Sequence, residues 1–492
     1  MPIELSDQDL PEIAPTAEIP RYDRAALRPG IVHFGVGNFH RAHQAVYLDS
    51  LFNQGLDQDW AIIGAGVRAN DAQMRQKLGA QDYLTTVVEQ EAGHSRARVT
   101  GAMIDFLAVG DLAVLRRTLA DPAIRIVSLT VTEGGYYIDP ASQRFDASHA
   151  EILADSRNPE APQTVFGLIL LGLRDRRAAG IPPFTVMSCD NIPGNGHVTQ
   201  NAVAGLAELI DPALAAWVRD AVAFPNGMVD RITPATGQRE RDALQAEFGI
   251  VDAWPVFCEE FKQWVLEDHF PSGRPALEQV GVQFVADVAP FEHMKIRILN
   301  GGHATIAYPA GLLDIHFVHE AMQHPLIRAF LEKVEREEII PVVPPVPGTD
   351  LEDYYRLVER RFSNPKIGDT IQRLCLDGSN RQPKFILPSA ADRLAAGKSV
   401  TGLALVSALW ARYCAGVSDS GKPIPPNDPS WERLTAQAQT ARHAPAAWLE
   451  MGDIFGPLAS HPAYVAAFTT ALSSLWARGT QATLQAYLAD RL

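Results

Sequence analysis

Lys295, Asn300 and His303 fall within the nine-residue stretch KIRILNGGH, which brings a potential proton acceptor, an amide donor and an imidazole close together in the chain. Read as an α-helix at about 100° per residue, the stretch puts Asn300 roughly 140° and His303 roughly 80° around the axis from Lys295, so the three share one broad face. Such a face can hold an alcohol. A solvated lysine, a capping asparagine and a core histidine are the plain alternative for the same trio met alone.

A second segment bears on a cofactor. The apolar run Ile31-Val-His-Phe34 leads into Gly35-Val36-Gly37-Asn38-Phe39-His40, and a helical pattern follows. Gly35 permits a tight turn and Gly37 lets the backbone approach a pyrophosphate, which would sit at the positive end of the next helix. The third glycine of G-x-G-x-x-G is missing and His40 stands in its place, so the pattern alone also fits an ordinary strand-to-helix turn. His40 and His43 invite a metal, but there is no HExxH and no carboxylate at ligand spacing. Contacts to phosphate or ribose, or simple packing, are the better expectation for both histidines.

An acidic residue after the second strand would bind the adenosine ribose and select NAD. Asp71 is the candidate, 36 positions after Gly35, where about 20 is usual. Arg68 nearby leaves some room for a 2′-phosphate, yet NAD is the expected cofactor, without a metal. Two further clusters, Thr130-Val-Thr132-Glu133-Gly-Gly-Tyr136 and Ser188-Cys-Asp190-Asn191-Ile-Pro193, follow apolar strands, where the ligands of open α/β sheets collect. Turn chemistry alone would also explain their Asp, Asn, Gly and Pro content.

These segments need elements to position them. Short apolar runs at Gly30–Phe34, Trp60–Gly64, Ile124–Thr130 and Phe184–Ser188 alternate with helical patterns, which predicts βαβ units and a parallel sheet. From about Pro290 the pattern changes to long Ala- and Leu-rich helical stretches, such as Val400–Cys414 and Ala463–Trp476. The expected fold is α/β: an N-terminal Rossmann-type dinucleotide-binding domain over 1–289 and a mainly α-helical substrate domain over 290–492. The proline-rich Ile340–Pro347 reads as a rigid loop.

Composition narrows the function. With 492 residues, 47% hydrophobic and 21% charged, the chain matches an ordinary soluble enzyme. The formal charge of -15 argues against nucleic acid or anionic membrane as partners. Four cysteines, none in a CxxC, fit a reducing compartment. An acidic, proline-broken N-terminus and the absence of any apolar run of about 18 residues make a cytoplasmic setting the expectation.

Taken together, GVGNFHRAHQ, TVTEGGYY, SCDN, FPNGMVDRITP and KIRILNGGH closely resemble the polyol-specific long-chain dehydrogenases, the mannitol dehydrogenase family, from about Ile31 to the C-terminal helices. The resemblance implies an NAD-dependent, metal-independent interconversion of polyol and ketose, mannitol and fructose first, with arabinitol or sorbitol as alternatives. It implies a monomer whose only partner is the small-molecule substrate, held in a cleft between the domains. Lys295 looks like the general base. An exposed lysine has a pKa near 10.4, so that role requires surroundings that lower it. Asn191 and Asn300 match paired amides that hold the developing alkoxide. His303 matches a substrate-orienting histidine, and Glu292 a carboxylate that passes the proton to solvent, although a helix-turn acid paired with a cation is the plainer reading of Glu292. Val229, Asp230 and Arg373 match substrate contacts, and Arg381 stands where a lysine is usual. The family also holds hexuronate reductases, and Arg373, Arg381 and Lys384 keep a carboxylate substrate in view. A binding protein of the same fold without chemistry is the alternative of another class.

Overall fold

The computed structural model describes residues 2–139 and 144–492. Its backbone divides into two compact units, Met1–Ala289 and Pro290–Leu492.

The first unit is built on five parallel strands: β1 (Pro29–Phe34), β2 (Ala61–Ala65), β3 (Met103–Phe106), β4 (Ile126–Leu129) and β5 (Thr185–Ser188). Their order across the sheet is β3-β2-β1-β4-β5. All but β3 lie where the alternating pattern predicts them. Because successive side chains on a strand point to opposite faces, each strand feeds two cores. Val32, Phe34, Val127, Leu129 and Val186 join one, under helices Val165–Ala179 and Asn195–Ile210. Ile31, Ile62, Ile126 and Met187 join the other, with Leu48, Leu51 and Phe52 of helix Gln44–Phe52. A sheet covered on both faces requires such continuous apolar strands. The chain winds outward from β1 through β2 to β3, then crosses back to β4 and β5, so its direction reverses between β1 and β4. Ligands of open α/β sheets bind outside the carboxyl ends of the strands at such a reversal.

A second, mixed sheet pairs β6 (Gly227–Asp230) antiparallel to β7 (Gln263–Glu267), which runs parallel to β8 (Gln283–Val285); Val229 faces Trp264 and Asp230 faces Gln263. A third joins Val256–Glu259, Thr85–Glu91 and His94–Thr100.

The second unit is helical. All but the first residue of Thr401–Tyr413 is buried, as expected of a helix apolar on every side, and it packs against the long helix Pro462–Leu488. That helix runs past the expected end at Trp476 but breaks at Gly479, at φ 78° and ψ 176°. Asp419 closes the break by accepting the Thr480 amide at 2.7 Å. The run carrying Lys295 has three consecutive segments, Ala289–Met294, a π-turn over Lys295–Asn300, and Gly301–Leu312. The regular α-helix assumed from spacing is therefore corrected: with i→i+5 hydrogen bonding the turn is wider, and Asn300 comes round closer to the line of Lys295 than an α-helix would place it. Helix Pro325–Val334 likewise continues into a π-turn, Glu335–Ile339, and the proline-rich segment starts as a short 3-10 turn, Ile340–Val342.

Candidate active site

At the carboxyl end of β1, Gly35 has φ +90° and a Cβ there would lie 2.1 Å from the Thr130 carbonyl oxygen, so only glycine fits. Gly37 is different. Its φ of -91° and ψ of -175° suit any residue, and nothing lies nearer than 3.8 Å to a Cβ built on it. Gly37 thus leaves an open stretch of backbone at the start of the short helix Asn38–Ala42, as close approach by a pyrophosphate requires. Buried Val36 packs beneath the turn. Asn38 is braced by donating to the Pro234 carbonyl and the Thr236 hydroxyl at 3.2 Å each, and Phe39 stacks on His43, with centroids 4.8 Å apart.

His40, in the place of the third glycine, is buried and stacked on His33 with ring centroids 3.5 Å apart. His33 is in turn tied to β4 by contacts to the Ser128 hydroxyl at 2.7 Å and the Thr130 hydroxyl at 2.9 Å. His43 Nε2 lies 2.9 Å from the Gln263 carbonyl oxygen. Burial lowers His33 and His43 to about 3 and carries His40 well below its ordinary value, with His33 and Arg41 adding to the shift at His40. These rings are neutral packing groups. Among the described residues no cluster of three or more His, Cys, Asp or Glu side chains could hold a metal ion.

After β2, Asp71 sits in the first turn of helix Ala69–Gly79, and its Oδ2 accepts the Val67 and Arg68 amides at 2.8 Å each. Gly66 makes room for it, since a Cβ there would meet the Asp71 side chain at 2.3 Å. Arg68 is exposed beside it.

Asp190, after β5, organises the neighbouring loop. Its Oδ2 accepts the Val131 amide at 2.9 Å and the Tyr136 hydroxyl at 2.7 Å, while Oδ1 accepts the Thr132 amide at 2.9 Å. Thr132 is held at φ +66°, a conformation non-glycine residues rarely adopt. Thr132, Glu133 and Asn191 are exposed, whereas Val229 and Asp230 are buried on β6. Asn195 links the two ends by donating to the Asp190 and Gly227 carbonyls at 3.0 and 2.8 Å. Asn195 and Tyr136 were not singled out from the sequence, although Tyr136 lies inside the quoted TVTEGGYY.

In the second unit, Lys295 and Asn300 are 6% and 9% exposed and follow one another around the π-turn, with half-buried Glu292 one turn before. His303 lies on Phe362, ring centroids 4.1 Å apart and planes 13° from parallel. Burial holds its pKa well below the usual value, and the charges of Arg373, Arg361 and Arg381 lower it further. Arg373 donates to Asp369 through Nε at 2.5 Å and again through Nη2, and Arg381 Nη1 donates to the Leu374 carbonyl at 3.0 Å. Lys384 is exposed. Buried Arg361 is the member of this group that spacing and motif missed.

The helix thus presents an amine, an amide and a neutral imidazole, groups that can take a proton from a hydroxyl and donate to its oxygen. The first unit offers what a dinucleotide needs: a reversal in strand order, an open backbone at Gly37 and an acidic residue after β2.

Two family models match the chain. A family model described as the mannitol dehydrogenase Rossmann domain matches residues 29–279, and one described as the mannitol dehydrogenase C-terminal domain matches residues 287–476. The chain is 62% identical over 471 residues to a mannitol 2-dehydrogenase of Cereibacter sphaeroides, covering 96% of this chain and 98% of that protein. Among solved structures, it resembles the ternary complex of Pseudomonas fluorescens mannitol 2-dehydrogenase with NAD and D-mannitol, at 45% identity and a TM-score of 0.89, covering 99% of this chain and 100% of that one. A D-sorbitol dehydrogenase in substrate-free form is similar at 34% identity and a TM-score of 0.88, covering 98% of this chain and 100% of that one.

Proposed function

The chain belongs to the mannitol dehydrogenase family, and from that premise we propose that it interconverts D-mannitol and D-fructose with NAD. The observation that carries the chemistry is the helical run in which buried Lys295 and Asn300 and half-buried His303 follow one another. The unit Met1–Ala289 is assigned to NAD and the unit Pro290–Leu492 to substrate and catalysis.

Gly35, Val36, Gly37, Asn38, Phe39, His40, Arg68, Asp71, Thr132, Glu133, Asp190 and Asn191 are the residues assigned to hold NAD, directly or by shaping its loops. Bound NAD supplies the nicotinamide that accepts a hydride. Lys295 takes the proton of the secondary hydroxyl. The Nδ2 groups of Asn191 and Asn300 donate to the same oxygen as negative charge builds, a role that suits amides because they carry no charge of their own. His303, kept neutral, orients the substrate hydroxyl, and Glu292 passes the proton from Lys295 toward solvent. Val229, Asp230, Arg373 and Arg381 contact the rest of the polyol. Arginine at 381 presents a planar fork rather than a point charge. That feature, with the likeness to a sorbitol dehydrogenase, favours sorbitol as the second substrate to try.

We further infer a cytoplasmic monomer. The four cysteines are free and buried, as in reducing compartments. The exposed large apolar side chains among the described residues are only Leu56, Leu209, Leu376 and Val417, scattered along the chain. NADH oxidation by EDTA-treated protein against fructose, xylulose, sorbose, fructuronate and tagaturonate tests the function. Fructose leading in kcat/KM, unchanged by chelation, supports it; a uronate leading overturns the substrate assignment.

A further inference from the structure

Glu335 stands at the first position of the π-turn that ends helix Pro325–Val334, with no exposed surface and no hydrogen-bond partner on either carboxyl oxygen. Buried polar groups are almost always bonded, so an orphaned carboxyl calls for an explanation. Its position supplies one. A Cβ built on Gly302 would lie 3.1 Å from Glu335 Oε1, 3.3 Å from the Phe362 ring and 3.5 Å from Leu331. The carboxyl therefore packs against the backbone between Asn300 and His303, beside the ring on which His303 lies.

We propose that Glu335 is a positioning residue for the catalytic helix, its carboxyl acting as a neutral filler that fixes the backbone at Gly302 and so the settings of Asn300 and His303. The proposal rests on the assignment of catalysis to the Lys295 helix. Burial alone pushes the Glu335 carboxyl well above the usual carboxylate range. The ionisable groups on the packed elements do not offset it. Arg297 is engaged with the Val342 carbonyl and Asp392, and Arg393 with the Glu337 and Ser399 carbonyls. Arg336 pairs with Glu332 and Glu352, and Glu338 accepts the Gly402 and Leu403 amides. Glu359 pairs with Arg328. Nearby stand Tyr355, whose phenol is raised chiefly by burial, and the Lys295 helix with Glu292, Lys295 and His303; Arg361 lies one residue before Phe362. A carboxylate at 335 would put uncompensated charge against the helix whose amine must lose a proton, so a neutral acid is the form compatible with catalysis.

The experiment uses the full-length protein with Glu335→Gln, Glu335→Met and Glu335→Ala. Because Gln and Met are neutral and of similar volume, both variants should keep kcat for mannitol oxidation within about tenfold of the parent, whereas Ala should lose more than about tenfold. KM for NAD should not move. The melting midpoint, read without any substrate, tests the neutral acid separately. The native state holds the proton at a pH where the unfolded chain has released it, so the contribution of Glu335 to stability falls as pH rises from the ordinary carboxyl range, a contribution the Gln and Met variants lack. Their midpoints must therefore gain on the parent with rising pH. A pH-independent difference overturns the neutral acid. A collapse of kcat in Gln and Met as deep as in Ala, or failure of both to fold, overturns the filler role. Gain in the melting series with no activity in the parent would instead indict the catalytic assignment.

Discussion

The carboxylate of Asp190 accepts the backbone amide of Thr132 at 2.9 Å and thereby holds that residue at φ +66°. Asp190→Ala leaves the amides of Val131 and Thr132 and the hydroxyl of Tyr136 without this acceptor, and for the buried Tyr136 hydroxyl alone the loss is on the order of 1–3 kcal/mol. The loop should relax, so KM for NAD should rise at least several-fold and the melting midpoint should fall. An unchanged KM would remove this loop from the cofactor site.

Asp71 has two jobs that can be separated. As a cap it accepts two amides, so Asp71→Ala should cost about 0.5–2 kcal/mol of stability, measured by urea unfolding. As a ribose ligand its loss should raise the ratio of NADP to NAD efficiency. A stability loss with an unchanged ratio would leave Asp71 a cap and assign ribose to another residue.

Four histidines held below their ordinary pKa predict the acid limb of stability. His33, His40, His43 and His303 all have depressed native values, with His33 and His43 at about 3. The unfolded chain protonates them near pH 6.5 and so binds more protons than the native state below that point. Stability is therefore present above pH 6.5 and lost as pH falls toward 3, by about 1.4 kcal/mol per pH unit for His33 and for His43, with His40 and His303 adding in the same direction. Replacing His43 with Gln should flatten the slope of unfolding free energy against pH by one such increment. An unaltered slope would mean that His43 titrates normally in the native state.

Asn191→Ala and Asn300→Ala should each cost about 2.7–4 kcal/mol in kcat/KM, the loss expected for one oxyanion donor. Burst kinetics with NAD and mannitol separate this from slower product release. A loss far smaller would make the asparagine a spacer.

Much of this was legible in the chain. Aliphatic runs at β1, β2, β4 and β5 are buried on both faces, and continuous apolar strands signal that directly. β3, Met103–Phe106, escaped because Ile104 and Asp105 are only partly buried and the run is four residues long. Strands such as His94–Thr100 are half exposed and polar, so their pairing comes from tertiary context. In the candidate site, residue types and order pointed to Lys295, Asn300 and His303. The π-turn did not follow from spacing, because its inserted residue leaves no mark on an apolar period. Arg361 and Glu335 were invisible for a related reason: each matters through neighbours far away in sequence, Phe362 beside His303 and Gly302 against Glu335.

Lys295 is proposed to take the substrate proton. Single-turnover oxidation of mannitol by Lys295→Ala, alongside NADH binding followed by fluorescence, tests it most directly. NADH affinity should stay within about threefold of the parent, and the rate of hydride transfer should fall by orders of magnitude and be partly restored by added primary amines. Near-normal turnover in the variant would contradict it.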